Sequence, residues 1–207
     1  MVLDAQGDRV AAVNRTPESQ QLMVEILGAA AALFSRGGFQ GTTTQQLADA
    51  VGLVKATLYY HIGNKEELLL RITKTVIDER IARWEPIVAN PTAPTATVIQ
   101  SLIEEHCRMI PRYRDWFLVV ADELKHLPPP LLPQVLERID VTNAMLQEVI
   151  ERGIASGELA TTDPHTATLV IMAMLNSMNR WYRPRGRLSN DQLARETTAV
   201  VLNGVLA

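Results

Sequence analysis

Two stretches of the 207-residue chain gather side chains that can do polar chemistry. In the first, Lys55, Ala56, Thr57, Tyr59 and Tyr60 fall close together, with Thr43 upstream and Lys65 downstream. Short hydroxyls, a small residue that permits close approach, phenolic hydroxyls and ammonium groups are the types that reach base edges and phosphates of a duplex. Thr43, placed at a helix N-terminus, would offer both its hydroxyl and its backbone N–H to a phosphate, and Lys65 would offer its charge. Taken singly, Leu58 and Tyr59 suit a packed core better than a DNA contact, and Lys55 a solvated surface.

The second stretch, Asn179-Arg180-Trp181-Tyr182-Arg183-Pro184-Arg185-Gly186-Arg187, crowds four arginines at a helix end. Guanidinium forks match phosphate oxygens, and Trp181 or Tyr182 can stack on an adenine-like ring. A cationic loop that offsets a helix C-terminal dipole accounts for the same composition. Trp84, His106, Met109, Tyr113, Phe117, Glu123, Met145, Met172 and Asn176, with Arg180, Trp181 and Arg183, form the candidate ligand pocket. Methionines and aromatics at helical spacing serve as core more often than as ligand contacts.

Catalytic constellations are sparse. Glu123-x-x-His126 is half of a di-iron carboxylate motif without a second copy, and His61, His106, His126 and His165 are scattered. Neither H-E-x-x-H nor G-x-S-x-G occurs, and Cys107, the sole cysteine, excludes an internal disulfide and a multi-thiolate zinc site. No catalytic residue, metal site or cofactor is expected. A helical metal-carboxylate enzyme, or a binding module that ignores DNA, is the alternative.

The elements that must hold these residues read as helical throughout. Thr16-Pro17-Glu18 offers a cap, a first-turn proline and an acid at the positive helix end, so a helix over 17–36 should stop at Gly37-Gly38. Thr43 and Gln46 form a capping box for 43–51, Gly52 makes a turn, and 55–62 is a second short helix. A long helix follows from Lys65 to about Trp84. Prolines at 111 and 128–130 should divide the next region into helices over 97–110 and 115–126. Helices over 133–155, 164–181 and from 190 onward complete an all-α, nine-helix chain. The two short helices around Gly52 form the geometry of a helix-turn-helix unit. The division expected is a disordered tail at 1–15, a DNA-binding unit at 16–63 and a larger helical unit at 64–207.

Composition agrees with a globular chain: 47% hydrophobic and 21% charged. The longest nearly unbroken apolar run, Ile26 to Phe34, falls short of the ~18 to 20 residues of a membrane span. The formal charge of −3 is uneven: residues 1–74 hold seven basic and seven acidic groups, so the acidic excess lies wholly beyond them. A neutral N-terminal segment permits a nucleic-acid partner that the whole-chain charge would discourage.

The run T-T-T-Q-Q-L-A-D-A-V-G-L-V-K-A-T-L-Y-Y-H-I-G-N-K-E-E-L-L at 42–69, with Gly38-Phe39 before it, closely resembles the N-terminal signature of the TetR family of transcriptional regulators. Val54 stands where the family usually has a capping serine, and Ile62 where it usually has phenylalanine. The resemblance implies DNA contacts from Thr43, Thr44, Lys55, Ala56, Thr57, Tyr59, Tyr60, His61 and Lys65. It also implies a cytoplasmic homodimeric repressor, without a membrane partner, that pairs through its last two helices and is released from a palindromic operator by a small-molecule effector. The long fourth helix is the expected lever. The W-Y-R-P-R-G-R-L-S segment is similar to that of a TetR branch regulating fatty-acid and steroid catabolism, which implies an acyl-CoA thioester as effector.

Overall fold

The computed structural model describes residues 16–205 except 161 and 184, so the expected tail at 1–15 and the break at Pro184 lie outside the described residues. It contains eight α-helices: α1 Pro17–Gly37, α2 Thr44–Ala50, α3 Lys55–Ile62, α4 Lys65–Val88, α5 Thr95–Glu123, α6 Leu132–Ser156, α7 Pro164–Trp181 and α8 Asn190–Val205. A single 3₁₀ turn, Leu124–His126, follows α5.

Local chemistry sets most boundaries. Thr16 caps α1 in a reciprocal box with Ser19, and Thr43 caps α2 in one with Gln46, each pair satisfying N–H groups that a helix start leaves open. Gly38 and Gly52 adopt φ of 75° and 67°, the left-handed region that ends α1 and turns the chain between α2 and α3. Asn64 caps α4 by accepting from the Glu67 N–H at 2.6 Å. Val54 has no cap to give α3, as its side chain predicts. That short helix is held instead by burial of Leu58 and Ile62.

Where nine helices are expected, the described residues form eight, because Pro111 does not end a helix. It sits exposed on α5, and the helix runs through it for 29 residues. A proline interior to a helix costs ~3 kcal/mol, through a lost hydrogen bond and a clash. Met109 and Ile110 before it, and Tyr113, Trp116 and Phe117 after it, are all buried, each such burial being worth ~1.5 to 3 kcal/mol. Packing therefore wins. The carbonyl that Pro111 leaves open, that of Cys107, accepts instead from Asn190 Nδ2 at 2.7 Å, a side chain at the start of α8. Pro86 is likewise passed over in the last turn of α4, which ends at Val88 rather than near Trp84.

Two apolar cores share α4 and α5. The first joins α1–α3 to Leu68, Leu69, Ile72, Val76 and Ile77 of α4 and to Met109, Tyr113, Trp116 and Phe117 of α5. The second joins Trp84 and Val98 to Ile110 with α6, α7 and α8. Helices α4 and α5 thus run continuously from the small N-terminal unit into the larger one.

Candidate functional site

Helix α3 is two-faced. Leu58 and Ile62 are fully buried, whereas Lys55, Ala56, Tyr59 and Tyr60 are exposed, Tyr59 at 39% and Tyr60 at 54%. Two large aromatics on an eight-residue surface helix, beside a lysine and a methyl, make a surface suited to a groove rather than to water. Tyr59 is therefore no core residue, but Leu58 is. The Tyr59 hydroxyl donates to Thr44 Oγ1 at 3.4 Å, linking α3 to α2, and Lys55 Nζ lies 5.9 Å from the Tyr59 ring. Tyr60 meets the His61 ring edge to face at 5.5 Å. Thr44, Thr57 and His61 are half-buried, and His61 Nδ1 has no hydrogen-bond partner.

Thr43 and Lys65 are committed elsewhere. The Thr43 N–H donates to Gln46 Oε1 at 2.8 Å and its hydroxyl to the same oxygen at 3.0 Å, so a phosphate would have to displace the cap. Lys65 Nζ donates to the carbonyls of Phe39 at 2.7 Å and Thr42 at 3.0 Å and lies 4.3 Å from the Phe39 ring. Its ammonium pins the α1–α2 turn onto α4, leaving one N–H for another partner.

Glu123 belongs to this junction, through its contacts with Phe39 and His126. Its Oε2 accepts from the Phe39 N–H at 3.2 Å and lies 3.4 Å from His126 Nε2, and the His126 ring stacks on Phe39 at 5.5 Å. The Glu123-x-x-His126 pair therefore clasps the turn before α2. Among the described residues no group of three or more His, Cys, Asp or Glu is placed to hold a metal ion. Burial pushes the Cys107 thiol up to about 12, far from a reactive thiolate at neutral pH.

A cavity of about 290 Å³ lies between α4, α5, α6 and α7. Its walls are mainly apolar, with Ile77, Phe117, Val120, Ile139, Leu169 and Met172 among them, and Arg80, Thr142, Asn143 and Asn176 supply polarity. Of the expected pocket residues it takes Phe117, Met172 and Asn176. Trp84 and His106 stand behind it: Arg80 lies 5.8 Å from the Trp84 ring, and His106 lies 5.2 Å from Phe117. Burial and then the Arg80 charge push His106 down to about 3, and its Nε2 donates to the Leu175 carbonyl at 3.0 Å. Met109 and Tyr113 are packed in the first core, and Met145 against the second.

Arg80 is the residue that spacing missed. It occupies a buried position on α4 between Ile77 and Trp84, where the helical period calls for an apolar side chain, and that mismatch was the available signal.

The arginine-rich segment is only partly a site. Arg180 pairs with Asp122 of α5, and Arg183 Nη1 donates to the carbonyls of Arg180 at 2.8 Å and Tyr182 at 3.1 Å. Tyr182 is buried at 3% exposure and cannot stack on a ligand ring, whereas Trp181 is 55% exposed. Trp181, Arg183 and Arg187 border a shallow hollow of about 320 Å³. No helix among the described residues is long and apolar enough to cross a membrane.

Comparison with known proteins matches two parts of the chain. Residues 26–72 match the family described as bacterial regulatory proteins, tetR family, and residues 92–205 match a tetracyclin repressor-like C-terminal domain. The HTH-type transcriptional repressor KstR2 of Rhodococcus jostii is 27% identical over 183 residues, covering 87% of this chain and 89% of that protein. The structure of the ketosteroid transcriptional regulator KstR2 of Mycobacterium tuberculosis superposes with a TM-score of 0.82 at 28% identity, covering 89% of this chain and 95% of that one. AibR, solved in complex with isovaleryl coenzyme A and operator DNA, shares the fold at a TM-score of 0.78 and 23% identity, over 86% and 97% of the two chains.

Proposed function

The chain belongs to the TetR family of bacterial regulatory proteins, and from that premise we propose how its parts divide the work of a ligand-responsive, DNA-binding transcriptional repressor. Residues 16–63 form the DNA-reading unit and 64–207 the effector-binding and dimerising unit. Its place of action is the cytoplasm, where the DNA is. The observation that carries the reading is the split of α3: Leu58 and Ile62 face inward, while Lys55, Ala56, Tyr59 and Tyr60 face out together. Inserted in a major groove, this face brings a methyl and two phenols to the base edges and an ammonium to the phosphates. Thr44, Thr57 and His61 border the same surface.

One eight-residue helix makes too few contacts for a tight complex, so a two-fold pair reading two half-sites is required. Leu169, Val170 and Trp181 on α7 and Val200 on α8 are large apolar groups left in water by a single copy. Pairing α7 and α8 with their equivalents in a second copy buries them in a four-helix seam. The cavity between α4, α5, α6 and α7 is the effector site. Support for an acyl-CoA effector comes from the W-Y-R-P-R-G-R-L-S segment, with Trp181, Arg183 and Arg187 around their hollow, and from a fold that in AibR accommodates isovaleryl coenzyme A. An effector that favours the conformer with mis-spaced reader helices weakens operator binding by its differential affinity for the two conformers.

The test is fluorescence anisotropy with duplex fragments from the region flanking the protein's own gene. Wild type binds one palindromic fragment with a steep salt dependence, and Tyr59→Ala abolishes that binding without changing the helical circular dichroism or the dimer mass. Failure of the wild type to retain any fragment at low ionic strength overturns the proposal.

A further inference from the structure

Among the described residues Arg80 is the only lysine or arginine that is buried, and no carboxylate pairs with it. Its Nη2 donates to Asn176 Oδ1 at 3.0 Å, its guanidinium lies 4.6 Å from the Phe117 ring, and its Nε has no hydrogen-bond partner. The other cations in the neighbourhood are balanced: Arg83 by Glu79 and Glu105, and Arg138 by Asp78. Burial lowers Arg80 to about 10, so it is still charged at neutral pH. An unpaired charge in an apolar interior is expensive, and proteins seldom keep one that nothing compensates. This one lines the 290 Å³ cavity, and no other ionisable side chain does.

We propose that Arg80 receives a carboxylate of the effector, and that the cavity takes a compact apolar body ending in that group. The inference rests on reading the cavity as the effector site. A single guanidinium with the neutral amides of Asn143 and Asn176 suits a two-oxygen monoanion, whereas a phosphate dianion would ask for more positive charge than the wall holds. At ~30 Å³ for each water-sized group, the space admits about ten non-hydrogen atoms. A free short-chain acid and a CoA thioester of a dicarboxylic acid both present this chemistry.

Two matched pairs of probes separate the sources. Hexanoate against hexanamide tests the free acid, and adipyl-CoA against hexanoyl-CoA tests a thioester whose far end is a carboxylate rather than a methyl. Titration calorimetry on the full-length dimer is expected to favour the carboxylate member of at least one pair by about tenfold to a hundredfold, the range for a charge-assisted hydrogen bond. Arg80→Met, of similar length and without charge, loses that preference and melts no lower than wild type. Asn176→Asp, on the exposed flank of the guanidinium, supplies the missing carboxylate from within and also loses the preference.

Equal binding within both pairs, no binding by any probe, or a preference that survives in both variants overturns the proposal. The effector reading fails on a different readout: a carboxylate probe that binds through Arg80 yet leaves operator affinity unchanged supports the anion site and removes its regulatory role.

Discussion

Lys65 and Glu123 hold opposite ends of one residue, Phe39: the lysine ammonium takes its carbonyl at 2.7 Å and the glutamate carboxylate takes its N–H at 3.2 Å. Lys65 opens α4 and Glu123 closes α5. The same two helices line the cavity through Ile77 and Arg80 on one and Phe117, Val120 and Ala121 on the other. A change in their relative tilt therefore reaches the turn that leads into α2.

Glu123→Gln keeps the shape of the side chain but weakens its grip on the Phe39 N–H. The expected cost is ~1 kcal/mol in stability, since a charge-assisted hydrogen bond becomes a neutral one. The larger effect is on coupling: the ratio of operator affinities without and with effector falls toward one, while effector affinity measured without DNA is retained. An unchanged ratio removes Glu123 from the coupling route.

Lys55→Ala tests the phosphate contact assigned to the exposed face of α3. Operator affinity drops similarly for all sequence variants of the site, and the slope of log affinity against log salt falls by ~2, about one for each copy's lysine. A loss confined to particular base pairs would instead place Lys55 on a base edge.

The proline within α5 is compensated from α8, and a double-mutant cycle measures by how much. Asn190→Ala strips the Cys107 carbonyl of its donor and is expected to cost ~1 to 3 kcal/mol in denaturant unfolding. In a Pro111→Ala background the backbone N–H returns and the same substitution costs markedly less. Additivity of the two changes would show that the Asn190 amide does not replace the missing donor.

His106 gives a pH signature. Its folded value of about 3 lies below the ~6.5 of an unfolded histidine, so the unfolded chain binds the extra proton between those limits. Stability is full above about pH 6.5 and declines as pH falls toward 3, by up to ~1.4 kcal/mol per unit from this group. His106→Leu flattens that part of the melting-temperature profile. A profile unaltered by the substitution contradicts a neutral buried imidazole.

What could be read from the sequence was local. The boxes at Thr16 and Thr43 and the turns at Gly38 and Gly52 each depend on side chains within a few positions, so spacing alone carries them. Pro111 misled because its compensation comes from Asn190, 83 positions from the carbonyl it serves. The contact of Glu123 is equally remote, since its partner, the Phe39 N–H, is 84 positions away. Type and position suit Lys65 and Thr43 to phosphates, whereas in the folded chain both are already engaged by neighbours. Arg80 is the converse case: its place on the apolar stripe between Ile77 and Trp84 marks it as buried, but only the closure of α5, α6 and α7 around it shows that its charge is isolated.

Asp122 and Glu123 are consecutive, yet one is tied to Arg180 on α7 and the other to Phe39 ahead of α2. A single peptide unit is thus the knot between two ropes, one leading to α7, where the proposed pairing of two copies would lie, and one to the turn ahead of the short helices α2 and α3. In the paired molecule proposed above, a shift of the subunit seam would be passed to the reader helices of the same copy, making assembly and operator grip one mechanical adjustment.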